Sequence, residues 1–332
     1  MRAWVVAEPK AIGTGPLVLE DRPRPEPAHR EVRVRVHACG VCRTDLHLAE
    51  GDLAPRRPRV VLGHEVVGTV DAVGADTERF VVGQRVGIPW LRHTCGRCRW
   101  CRRGAENLCV DPRFTGWDAD GGYAEWAVVD EAYAYALPES FDDQRAAPLL
   151  CAGIIGYRAL KRAELPPGGR LGVYGFGASA HLAAQVALAR GATVHVITRS
   201  EAARRHALDL GCHSAVPADA RPPEPLDGAV VFAPAGSVVR SALEVVDAGG
   251  TVAVAGIHLS EIPPLDYDRH LFRERQVRSV TANTRGDGEE FLALAARMDL
   301  QVTTTPYRLD DAPQALADLA ADRLVGAAVL VP

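Results

Sequence analysis

The sequence predicts an α/β chain of two parts: a partly barrel-like β domain and a doubly wound parallel sheet. Three observations carry this. The chain has 332 residues, and domains usually run to ~100–200, so two domains are expected. Its first 150 residues hold short alternating apolar stretches punctuated by Gly and Pro, the pattern of short strands. From Cys151 onward, strand-length apolar segments alternate with segments at helical spacing, the βαβ rhythm of a parallel sheet covered on both faces.

Composition narrows the function. Hydrophobic residues at 47% and charged residues at 24% are those of an ordinary globular protein. Lys+Arg 38 against Asp+Glu 42 leaves a net charge of −4, which argues against a nucleic acid or an anionic membrane as partner. No apolar run reaches the ~18 residues a bilayer span needs. The segment MRAWVVAEPK begins a strand and lacks the apolar core of a signal peptide, so a cytoplasmic location is expected. In a reducing compartment the eight cysteines point to metal binding or catalysis rather than to disulfides.

Taken in order, residues 1–35 read as short strands with a proline-rich connection, Arg22-Pro23-Arg24-Pro25-Glu26-Pro27, suited to a sheet edge or loop. Val32, Val34 and Val36 alternate into the stretch Cys39 to His47, where nine residues carry two thiols, a guanidinium, a hydroxyl, a carboxylate and an imidazole. From composition alone that stretch is either a polar loop with a buried cysteine or part of a site. Residues 59–70 are β-rich and contain the pair His64-Glu65 after Gly63; residues 81–90 and 121–136 continue the β character. A helix is expected over Cys151–Ala163, a strand from Arg170 into Gly175 and Gly177, a helix over Ser179–Arg190, a strand over Ala192–Ile197 and a helix over Glu201–Leu210. The alternation resumes through 228–232, 238–246 and 251–255. It is followed by a helix over Glu289–Met298, a strand near Tyr307, a helix over Pro313–Ala321 and a last strand, Ala328–Val331.

Cys95, Cys98, Cys101 and Cys109 are spaced C-x2-C-x2-C-x7-C. Four thiolates so close in sequence can converge on one tetrahedral zinc, a closed structural site. Arg97, Arg99, Arg102 and Arg103 surround them with charge that favours thiolates. A ferredoxin-type cluster would close with x3-C-P, but here the last gap is seven and Val110 follows. A nucleic-acid zinc ribbon is disfavoured by the acidic balance and the lack of interleaved aromatics.

Gly175-x-Gly177-x-x-Ala180 follows a strand and opens a helix, the setting a dinucleotide fingerprint requires. The first Gly makes the turn, the second lets the backbone approach a pyrophosphate, and the small Ala180 serves helix–strand packing. The helix N-terminus at Ala178, Ser179 and Ala180 offers free N–H groups to the anion. At the end of the next strand, where NAD sites carry an acid for the ribose diol, stand Thr198, Arg199 and Ser200. With no carboxylate to repel a 2′-phosphate, this favours NADP(H) over NAD(H). The plainer reading is Ser200 as a helix cap beside a solvated arginine, which is compatible with NAD.

With these features placed, the whole chain resembles the zinc-containing medium-chain alcohol dehydrogenases. The motifs are CGVCRTDLH (39–47), GHE (63–65), the four-cysteine loop, GGYAEW (121–126), CAG (151–153) and the glycine fingerprint. The resemblance implies a GroES-like catalytic domain, 1–150 with 289–332, and a Rossmann domain, 151–288. It implies a catalytic zinc on Cys42, His64 and Cys151, with Glu65 as a supporting group or alternative ligand, besides the structural zinc. Those three ligands lie 22 and 87 residues apart, so spacing could not have found them. It further implies that Thr44 takes the substrate proton and His47 passes it to solvent, that Asp45 orients His64, that Arg43 faces cofactor phosphates and that Trp90 lines the substrate pocket. The partners implied are a small alcohol or aldehyde and further copies of the chain, as a homodimer or homotetramer.

The chain departs from the family pattern at Ile155, where a Thr is usual, at Ala327, where many members have Arg, and at Ala180 and Thr198, which replace Gly and Asp. The first two bear on cofactor affinity, and Thr198 adds to the case for NADP. Two alternatives remain: a quinone or enoyl reductase of the same superfamily, which typically lacks both zinc sites, and a nucleotide-binding member that has lost catalysis.

Overall fold

The computed structural model describes residues 1–332. They form two compact units, Met1–Cys151 with Ala282–Pro332, and Ala152–Thr281. The return to the first unit falls at Ala282 rather than at 289, for a local reason. The helix expected from Glu289 begins earlier and spans Arg285–Ala295, because Thr284 caps it: Thr284 Oγ1 accepts from Asp287 N at 3.1 Å and Asp287 Oδ2 accepts from Thr284 N at 2.9 Å. Gly286 and Gly288 blur that start in the sequence. Arg285 then pairs with Glu106 at 2.8 Å, which ties the helix to the first unit.

The first unit is organised on the long strand Glu31–Val41, in which Val32, Val34 and Val36 are buried. It pairs antiparallel with Val66–Val73 on one side. On the other side its first half pairs with Trp126–Asp130 and its last residues with Ala327–Val331. Register shifts between Arg33 and Val34 and between Val36 and Ala38 accompany this change of partner. Such bulges bend and twist a strand, giving the sheet its partly barrel-like form. Thr304–Arg308 lies beyond Ala327–Val331; Arg85–Ile88 and Tyr135–Ala136 continue the sheet from Val66–Val73.

The polar stretch after the long strand is not a loop. Cys39, Gly40 and Val41 end the strand, Cys42 is an extended N-cap, and Arg43–Glu50 is a helix closed by Gly51, whose N–H donates to His47 O at 3.0 Å. Asp45 at the third helical position accepts from Cys42 N at 2.9 Å, the returning half of a capping box. Leu46, Leu48 and Ala49 bury the inner face.

The second unit holds six parallel strands in the spatial order Ser214–Val216, Thr193–Ile197, Arg170–Tyr174, Leu226–Val231, Val246–Val254, Gln276–Ser279. Numbered along the chain this is 3-2-1-4-5-6, the doubly wound order, with its switch point beside Arg170–Tyr174. The helices Ala178–Ala189, Glu201–Asp209 and Gly236–Leu243 lie on crossovers between these strands, while Ala152–Ala163 precedes the first strand and packs against Ala178–Ala189. The glycine loop leaves the carboxyl end of the strand at the switch point, where open α/β sheets bind ligands.

Candidate active site

In the first unit, Cys42, His64, Glu65 and Cys151 converge: one ligand atom from each lies within 4.8 Å of all the others. Cys42 comes from the helix cap, His64 and Glu65 from the turn before Val66–Val73, and Cys151 from the end of the turn Ala147–Leu150. Two glycines make the approach possible. A Cβ on Gly40 would lie 1.8 Å from Glu65 Oε2, and Gly63 (φ +94°) turns the chain so that His64 faces inward. Cys39 takes no part; its fully buried thiol packs behind Gly63 and Gly122.

Asp45, fully buried, ties these segments together. Its Oδ2 accepts from Cys42 N at 2.9 Å and from the Tyr123 hydroxyl at 3.2 Å. Its Oδ1 accepts from Gly63 N at 3.1 Å and lies 3.2 Å from His64 Nδ1. Tyr123 is the member of this network that sequence reasoning did not single out: it stood inside GGYAEW as one more apolar alternation. Burial and the nearby Asp45 charge push its phenol well up, so it remains a donor.

The donor set fits a metal. Both ring nitrogens of His64 are buried without a well-formed hydrogen bond: Nδ1 has the Asp45 carboxylate 3.2 Å behind it, and Nε2 is unmet, which is costly unless an electrophile meets it. Cys42 is drawn well below the usual thiol range by the Cys151 thiol and by His64, while Cys151 is driven well up by the same Cys42 contact and by burial. The Cys42 and Cys151 sulfurs beside this imidazole nitrogen form a Cys2His donor set, one that zinc satisfies with a position to spare.

The neighbouring side chains fall where chemistry could use them. Thr44 is buried with its hydroxyl 3.6 Å from Cys42 Sγ. His47, one turn along the same helix, has Nδ1 2.8 Å from Asp52 Oδ2. Arg43 is engaged by the Asp322 carboxylate and by Leu319 O at 3.4 Å. Trp90 meets His64 edge-on with ring centres 4.8 Å apart and stacks on Phe114 and Trp117 at 4.8 and 5.9 Å. An aromatic wall therefore stands beside the imidazole.

The thiols of Cys95, Cys98, Cys101 and Cys109 also lie within 4.8 Å of one another. Backbone amides turn toward the sulfurs: Cys95 N donates to Cys109 Sγ at 3.2 Å, and Cys98 N to Cys95 Sγ at 3.4 Å. Cys98 is lowered to about 6, chiefly by the Cys101 and Val110 amides, while Cys101 is pushed up to about 12. The arginines expected to stabilise thiolates are less directly placed: Arg99 and Arg103 lie over the Trp100 ring at 4.6 and 3.8 Å. The lobe is anchored through Glu106, which accepts from Thr94 Oγ1 and from Arg285 N, Nε and Nη2.

In the second unit Gly175 has φ +83° and turns the chain against Ala233, whose N would lie 3.1 Å from an added Cβ. Gly177 caps the helix Ala178–Ala189, and an added Cβ there would meet nothing within 4 Å, so its face is open to a ligand. Ala180 is fully buried. Ser200 Oγ accepts from Ala203 N at 3.2 Å as the cap of Glu201–Asp209, which leaves its proton to donate. Arg204 Nη1 donates to Thr198 O and Arg199 O at 2.9 and 2.8 Å, fixing the loop from which Arg199 projects.

A nucleotide-type loop in one unit and a thiol–imidazole cluster in the other define a zinc-type oxidoreductase. Comparison with known proteins agrees. Residues 28–139 match the alcohol dehydrogenase GroES-like domain family and residues 180–297 the zinc-binding dehydrogenase family. A probable alcohol dehydrogenase of Mycobacterium tuberculosis is 58% identical over 100% of this chain and 97% of its own. An alcohol dehydrogenase of Geobacillus stearothermophilus is 34% identical over 99% and 98%. The solved thermostable alcohol dehydrogenase of Pyrobaculum aerophilum is 26% identical, covers 100% of this chain and 99% of its own, and superposes with a TM-score of 0.91. The chain belongs to the zinc-containing medium-chain alcohol dehydrogenase family. No helix is long and apolar enough to cross a membrane.

Proposed function

We propose that the chain interconverts a small alcohol and its aldehyde or ketone at Cys42, His64 and Cys151, using a nicotinamide cofactor on the loop Gly175–Ala180 and preferring NADP. The observation that carries this is the buried donor set, with His64 Nε2 unpaired among two thiols and Asp45 behind Nδ1. When bound, zinc supplies Lewis acidity to the substrate oxygen and nicotinamide supplies or accepts the hydride. Asp45 holds the imidazole so that Nε2 faces the metal position. The Thr44 hydroxyl would accept the hydrogen bond of a substrate alcohol and, as it takes that proton, give up its own toward solvent, while His47, held by Asp52, would exchange a proton with water. The wall of Trp90, Phe114 and Trp117 excludes water and selects an apolar substrate of modest width. The second cluster, on Cys95, Cys98, Cys101 and Cys109, holds a structural zinc.

The NADP preference rests on Arg199 beside the Ser200 hydroxyl, with no acid at Thr198. The test is aldehyde-dependent oxidation of NADPH and NADH by zinc-loaded protein. Turnover with NADPH supports the reading; zinc-loaded protein without turnover on any of a panel of aldehydes and ketones overturns it. Arg199→Ala should raise the KM for NADPH about tenfold and leave that for NADH nearly unchanged. Equal effects on both would count against a 2′-phosphate contact.

A further inference from the structure

One buried titratable group near the loop has no part in the scheme above. His181, in the first turn of helix Ala178–Ala189, is 1% exposed. Its Nδ1 lies 3.3 Å from Gly177 O, the carbonyl that already accepts His181 N at 3.1 Å. Its Nε2 is buried and has no hydrogen-bond partner. The ring of His206 packs against it with centres 5.9 Å apart, and Phe176 meets His206 edge-on at 6.0 Å. Burial pushes the imidazole down to about 4, so it is neutral at ordinary pH. A neutral ring has one N–H, and the carbonyl facing Nδ1 places it there, leaving Nε2 as an unused acceptor.

An apolar side chain would fill this position without stranding a nitrogen, so packing alone does not account for a histidine. What the imidazole adds is a second hydrogen bond to Gly177 O. The peptide joining Gly177 and Ala178 is planar and trans, so holding its carbonyl toward the helix points the Ala178 N–H the opposite way, out of the N-terminus. Gly177 presents open space on its side-chain face.

We infer that His181 is a positioning residue for the cofactor: through Nδ1–H and Gly177 O it fixes the peptide whose N–H meets the pyrophosphate. The inference rests on the nucleotide reading of the loop and adds a residue that acts without touching the ligand. It is independent of the choice between NAD and NADP.

The test compares wild type, His181→Leu and His181→Asn. Dissociation constants are measured for NADPH, NADH, ADP-ribose (which carries the pyrophosphate) and adenosine (which does not), together with kcat at saturating cofactor and the thermal midpoint. Losing the Nδ1 bond in His181→Leu should weaken NADPH, NADH and ADP-ribose about tenfold, the size expected for one oriented donor. Adenosine affinity and kcat should stay within about twofold, and the midpoint should not fall, since the stranded nitrogen is removed. His181→Asn, whose amide can reach the same carbonyl, should recover most of the loss. Unchanged ADP-ribose binding in His181→Leu overturns the inference, as does an equal loss for adenosine or a failure of Asn to recover binding. Wild-type protein that binds neither NADPH nor NADH overturns the dehydrogenase reading itself, and this inference with it.

Discussion

The two cysteine clusters use nearly the same atoms within the same span, yet they are built in opposite ways. Cys95, Cys98, Cys101 and Cys109 lie within fifteen residues, three of them only half-buried, and backbone amides turn inward to the sulfurs. Cys42, His64 and Cys151 come from three distant segments, and a buried carboxylate, Asp45, holds the first two in register. A cluster closed by local backbone replaces a small core in a long loop. A cluster assembled by the fold has its geometry fixed by the surrounding strands and helix and is free to leave a metal position open to substrate. On the function proposed above, this difference separates a structural site from a chemical one.

The comparison can be broken at several points. Cys42→Ala should abolish turnover, by more than about 10³-fold, while the far-ultraviolet spectrum and thermal midpoint stay near wild type, because the sheet around it is already closed. A global loss of structure in that variant would erase the distinction. Cys98→Ala should do the reverse: the midpoint falls by roughly 5–10 °C as the lobe loses its metal, and the residual folded protein keeps substantial turnover. Asp45→Asn should keep the fold but lose about 10–100-fold in activity or in affinity for the catalytic metal, since the imidazole loses its brace. An unaffected Asn variant would show that Asp45 only caps its helix.

The smallest effect concerns the anchor of the lobe. Burial raises the Glu106 carboxyl, but its hydrogen bonds and ion pair with Arg285 outweigh that and hold it below the usual carboxylate range. A depressed carboxyl contributes stability above its unfolded value of ~4.3 and loses it as pH falls through the folded value. Glu106→Gln should therefore cost ~1–3 kcal/mol at neutral pH. The gap from wild type should close as the pH drops below about 4. A gap that stays constant into acid would mean the pair contributes nothing through its charge.

How much was legible in the sequence follows the same division. The convergence of the local cluster was legible from spacing, because its four cysteines share one loop. The glycine loop was read from its setting between strand and helix. The remote site became visible only through family resemblance, since no periodicity links Cys42, His64 and Cys151. The helix Arg43–Glu50 was missed because it is short and its cap is a cysteine, with Asp45 rather than Glu completing the box. Tyr123 was missed because a buried tyrosine in an alternating stretch looks like core until its hydroxyl is seen on Asp45. The helix at Arg285 was placed late because two glycines sit in its first turn.

The central claim is that two independent zinc sites serve different ends. It is tested most directly by counting zinc per chain, alongside turnover, in wild type, Cys42→Ala and Cys98→Ala. The account predicts two zincs in wild type and one in each variant, with turnover lost only in Cys42→Ala. A single zinc in wild type, or loss of both metals on removing either cysteine, would contradict it.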